Sequence, residues 1–155
     1  MLKISQLHYL FLATLLSLSC AKTVHAEPNT TLTVIVNGVR HKTGEICFRV
    51  YDSEKGFPMS NSSEVQNGCT KINGTSVKKV FSGLKPGTYA VAVVDDQNGD
   101  RKLNKDFFGI PKEGFGISKN PTVSVQTGTP KFRNSSFKMT KNTTINISLK
   151  YSLDP

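Results

Sequence analysis

From Thr31 onward the chain alternates apolar and polar residues in runs too short for helices, and this period of two marks strands with one face on a core. The runs are Thr31–Asn37, Glu45–Tyr51, Ser76–Phe81, Thr88–Val94, Phe137–Met139 and Thr143–Tyr151. Each is rich in β-branched or aromatic residues, which pack well on a pleated surface. The 3.6-residue period of an amphipathic helix is absent. Turn chemistry divides the runs: Asn37-Gly38, Thr43-Gly44, Asn73-Gly74, Lys85-Pro86-Gly87 and Asn98-Gly99 accept turn dihedrals without strain. Short strands at this spacing predict an all-β fold, a single antiparallel β-sandwich of about seven strands, immunoglobulin-like in its pattern.

Two segments fit neither strand nor tight turn. Asp52 to Asn67 carries Gly56-Phe57-Pro58 and a Ser/Asn run; Asp96 to Thr129 carries Gly109-Ile110-Pro111-Lys112-Glu113-Gly114-Phe115-Gly116-Ile117. Loops this long in a small domain often bind something. Phe57, Gly109, Pro111, Glu113 and Phe115 are therefore the candidate ligand-loop residues. The alternative is a glycine-jointed loop whose Phe108, Ile110 and Phe115 seal the end of the sandwich.

Ahead of the strands, Lys3, the apolar stretch Tyr9 to Leu18 and the small residues around Val24-His25-Ala26 have the form of an export signal. About a dozen apolar residues are too few to span a bilayer. Met1 to Ala26 is thus expected to be removed, leaving residues 27–155 as one domain, secreted or periplasmic. Cys20 offers a rival lipid-attachment site, though Ser17 stands where lipoprotein signals usually carry Leu. Removal takes Lys3 and Lys22 from 20 basic residues against 11 acidic ones, for a net charge of 20 − 2 − 11 = +7. That charge favours an acidic partner, such as an acidic envelope polymer, another envelope protein or lipid head groups. The lysines are spread singly and arginines are few, so no nucleic-acid footprint emerges.

Cys47 and Cys69 are the two cysteines left in an oxidising compartment, which predicts a disulfide. His41 is the one remaining histidine, in an expected hairpin between Arg40 and Lys42. Without a Gly-x-Ser-x-Gly elbow or a second histidine, nucleophilic catalysis has little to work with, and the chain reads as a non-enzyme. Asp95 to Asp106 holds the densest chemistry. Asp96, Asn98, Asp100 and Asp106 are candidate calcium ligands, although the Gly and bidentate Glu of an EF-hand are missing and Arg101, Lys102 and Lys105 add positive charge. The same residues suit a turn whose Asp and Asn side chains cap backbone amides. No other cofactor is implied. Six Asn-x-Ser/Thr sequences, at Asn29, Asn61, Asn73, Asn134, Asn142 and Asn146, follow from a Ser/Thr/Asn-rich surface.

One longer pattern ties these pieces together. Phe81-Ser82-Gly83-Leu84-Lys85-Pro86-Gly87-Thr88-Tyr89-Ala90-Val91-Ala92-Val93 is a strand end, a Gly-Leu-x-Pro-Gly turn and a returning strand of the prealbumin type. With Tyr51-Asp52-Ser53 and Gly56-Phe57-Pro58 before it, and Asp96-x-Asn98-Gly99 and Phe108-Gly109-Ile110-Pro111-Lys112-Glu113-Gly114-Phe115-Gly116 after it, the chain resembles the bacterial exported domain-of-unknown-function family 2141. Arg101 and Asn104 stand where that family commonly has Gly and Asp. The resemblance implies export and a prealbumin-like sandwich. The functional expectation is an exported, non-catalytic binding or structural module; the alternatives are a calcium-stabilised envelope protein or a secreted hydrolase built on the 95–106 loop.

Overall fold

The computed structural model describes residues 29–60 and 63–155. The expected export signal, with its expected cleavage site and Cys20, and Asn61 of the second Asn-x-Ser/Thr sequence lie outside the described residues. Among the described residues no helix is long and apolar enough to cross a membrane.

Among the described residues eight strands form in chain order: β1 Thr30–Asn37, β2 Glu45–Tyr51, β3 Gln66–Lys71, β4 Ser76–Leu84, β5 Gly87–Asp96, β6 Phe115–Ile117, β7 Phe137–Met139 and β8 Thr143–Ser148. One helical turn, α1, covers Phe132–Ser135. One sheet has the order β4-β1-β8; the other runs β3-β2-β5-β6, with β7 also on β5. The fold is the expected all-β sandwich. Its pairs are antiparallel except β1 with β8, which run parallel.

The inner faces meet in a core that includes Leu32, Val34, Val36, Phe48, Phe81 and Ile147. Alternation in β1 puts every second residue into this core. Strand β5 behaves differently, being buried at every position from Tyr89 to Asp96. Its inner residues Tyr89, Val91 and Val93 join the core. Ala92, on the outer face, packs instead with Tyr51 and Ile117, under Phe57 and Phe132 from the connecting segments. A strand covered on both faces must be apolar throughout, as Tyr-Ala-Val-Ala-Val-Val is.

Three sequence expectations are corrected here. Strand β3 begins at the end of the first segment read as a loop, and β6 lies in the middle of the second. β3 is polar because it is an edge strand, and β6 is short because it pairs with β5 over three residues only. Residues 38–44 are not a hairpin: β1 and β2 lie in different sheets, so this segment crosses between them. Cys47 and Cys69 stand opposite each other in the β2–β3 register, with Cα atoms 4.0 Å apart, and form the expected disulfide. A covalent closure of this length stabilises a fold by about 3 kcal/mol in the chain-entropy model.

Candidate functional site

The two long connections converge on the outer face of the five-stranded sheet. Tyr51 at the end of β2 is fully buried, and its hydroxyl donates to the carbonyls of Pro58 at 3.1 Å and Ser60 at 2.9 Å, pinning the 52–65 segment. Its ring meets Phe57 edge-on at 5.3 Å, and Phe57 meets Phe132 at 5.8 Å. Arg49, on the same face, donates to the Met59 carbonyl at 3.4 Å and to the Arg101 carbonyl, clamping one long loop to the other.

The second loop is organised by carboxylates. Asp96, nearly fully buried, accepts from the amides of Gly99 at 2.8 Å and Arg101 at 2.9 Å. Buried Glu113 accepts from the amides of Gln97 at 3.2 Å and Asn104 at 3.0 Å, closing the base of the loop. Asn98 accepts from the Asp100 amide, and Asp100 accepts from the Lys102 amide and the Asn104 side chain. These bonds, the Asn104 side chain first, lower the pKa of Asp100. Asp106 accepts from the amides of Phe108 and Ile110, both at 2.9 Å. The four candidate calcium ligands are thus each turned to a backbone donor, and an ion would have to share their oxygens. Among the described residues, the group of three carboxylate, thiol or imidazole donors close enough to hold a metal is Glu45, Cys47 and Cys69, and its two sulfurs are already bonded to each other.

Between these loops lies a groove of about 240 Å³, its floor formed by Ala92, Val94 and Ile117 and its walls by Met59, Leu103 and Val123. Of the candidate ligand-loop residues, Gly109, Pro111 and Phe115 line it. Phe57 does not: it is committed to Tyr51 and Phe132. Glu113 holds the loop rather than facing the groove. Phe115 is buried as a seal should be, but Phe108 is 82% exposed and Ile110 39% exposed, so these two do not close the sandwich end. The bonds from Asp106 fold residues 106–110 into a tight turn that projects the side chains outward.

A polar cluster that sequence reading passed over sits beside the loop base. Asp95 is fully buried at the end of β5. It is bonded to His41 Nδ1 at 2.7 Å, to the Tyr151 hydroxyl at 2.6 Å and to Gln97 Nε2 at 2.5 Å. The Arg40 guanidinium lies 4.7 Å over the Tyr151 ring, and the Arg40 amide donates to the tyrosine oxygen. Burial, together with the bond to Asp95, pushes the Tyr151 pKa up to about 12. Gly114 makes this packing feasible, since a Cβ there would lie 2.6 Å from the Tyr151 ring. Separations of 54 and 56 residues between partners hide the cluster from any local motif.

The architecture is that of a two-sheet β-sandwich domain with a loop-walled apolar groove on one outer face. The chain belongs to the family of uncharacterized proteins conserved in bacteria known as domain-of-unknown-function family 2141, which it matches over residues 34–146. No curated protein and no solved structure matches it.

Proposed function

We propose that the chain is an exported, non-catalytic binding module whose ligand face is the groove between its two long loops. The observation that carries this reading is the groove itself: an apolar hollow whose floor is set back because the outer face of β5 carries alanine at Ala92. Loops tied down by Tyr51, Arg49, Asp96 and Glu113 give it fixed walls, and fixed walls lower the ordering cost of binding. The net charge favours a ligand with an apolar body and an acidic group, from an envelope polymer or another envelope protein.

The test is titration of the purified protein with the apolar dye Nile red. Saturable fluorescence is expected, and Val125→Asp, which puts a charge on a 78% exposed residue lining the groove, should weaken it by about tenfold or more without lowering stability. Linear, non-saturable uptake, or equal binding by Val125→Asp, would refute the groove as ligand site.

A further inference from the structure

At the rim of the groove, which Lys105, Phe108 and Ile110 also line, the loop between Asp100 and Lys112 ends in a tip that the fold presents to solvent. Phe107 is 96% exposed and Phe108 82% exposed, their rings edge-to-face at 5.6 Å. The exposure is built in. The Asp106 amide donates to the Ile110 carbonyl at 2.9 Å, the Gly109 amide to the Asp106 carbonyl at 3.0 Å and the Lys112 amide to the Asn104 carbonyl at 2.9 Å. The Asp106 carboxylate binds the amides of Phe108 and Ile110 from inside the turn. Gly109, at φ +79°, supplies the left-handed residue the turn needs. A residue 96% exposed touches almost nothing of its own fold, so the tip is a projecting wedge rather than part of a flat patch.

Its flanks are basic. Lys102, Lys105 and Lys112 are all exposed, and none forms an ion pair among the described residues. Asp96, Asp106 and Glu113 are turned inward to amides, and exposed Asp100 offsets part of the Lys102 charge, so Lys105 and Lys112 carry most of the positive flank at the tip.

We propose that this tip docks the protein onto an anionic lipid bilayer, seating Phe107 and Phe108 at the headgroup boundary with Lys102, Lys105 and Lys112 against lipid phosphates. The proposal rests on the reading of this loop face as the binding face. Aromatic side chains favour that boundary, where an apolar ring is buried while the backbone stays hydrated. Each basic residue near an anionic surface adds about fivefold in partitioning. A rigid wedge with charged flanks suits a fluid surface, which closes around it without a preformed socket.

The test is co-sedimentation of protein expressed from the full sequence with phosphatidylglycerol/phosphatidylcholine vesicles and with phosphatidylcholine vesicles alone. Binding to the anionic vesicles is expected, weakening as salt is raised. Phe107→Ser/Phe108→Ser should reduce it by about tenfold or more, and Lys105→Glu/Lys112→Glu should abolish the preference for anionic lipid. All four positions are exposed, so thermal melting should be unchanged. Phe107→Ser alone separates this proposal from the groove reading, because Phe107 does not line the groove: it should weaken vesicle binding and leave Nile red titration as it was. Failure of the unaltered protein to sediment, or equal sedimentation of the double phenylalanine variant, would overturn the proposal. So would light scattering that shows the phenylalanines mediating self-association with no vesicle binding.

Discussion

The two sheets obey different rules on their outer faces. The three-stranded sheet leaves its outer face to water: in β1 buried residues alternate with half-buried ones, and in β4 Val80 is 49% exposed. The five-stranded sheet hides its outer face under the two long connections, so Tyr51, Ala90, Ala92 and Val94 are as buried as core residues. One face is merely solvated; the other has been roofed, and the gap under the roof is the groove. The loops are therefore structural on one side and available for recognition on the other.

The sharpest way to break this comparison is to truncate one residue on each outer face. Tyr51→Ala should cost about 3–5 kcal/mol, since it empties a filled site and frees the 52–65 segment. Val80→Ser on the solvated sheet should stay within about 0.5 kcal/mol. Urea unfolding of the two variants measures both, and similar losses would show that the outer faces do not differ.

A smaller effect is expected where the roof is held by polar bonds. Glu113→Ala leaves the amides of Gln97 and Asn104 without their acceptor and should cost about 1–3 kcal/mol. Hydrogen exchange at these two amides should rise even if the global midpoint moves little. Unchanged exchange would mean that the loop base is closed by something else.

The smallest effect is one of pH. Tyr151 keeps its proton up to about 12 in the folded chain against an ordinary value of 10.0. Between these values the unfolded chain binds fewer protons than the folded one, so stability is whole below pH 10 and falls as pH rises toward 12. Tyr51 and Tyr89 are raised as well, chiefly by burial, and add to the slope. Tyr151→Phe should make the alkaline decline shallower. An unaltered slope in the thermal midpoint against pH would show that the cluster around Asp95 does not hold the tyrosine proton.

The difference between the faces also explains what could be read in advance. Alternation revealed β1, β2, β4, β7 and β8, each with one face on the shared core, and β5 was legible through its run of β-branched and aromatic residues. Alternation missed β3, whose Gln-Asn-Gly-Cys-Thr-Lys has almost no apolar residue and is held by its pairing with β2 and by Cys69. Once the disulfide is expected, a partner strand around Cys69 follows, and that was the available signal. The Gly-Ile-Pro loop was legible as a binding candidate through its length and glycines, and Gly109, Pro111 and Phe115 do line the groove. The other wall, at Met59 and Val123, came from segments with no pattern of their own. The His41–Asp95–Tyr151 cluster was invisible because its members join ends of the chain that meet only after both sheets have formed.

The parallel pairing of β1 with β8 has a consequence for the order of events in folding. β1 is the central strand of its sheet, yet its neighbour on one side begins at Thr143, more than a hundred residues later. Until that last strand arrives, β1 keeps an unpaired edge of hydrogen-bonding groups and Ile147 is missing from the core. A nascent chain that has emerged only through β7 therefore lacks one neighbour of its central strand and part of its core, and cannot yet hold this fold.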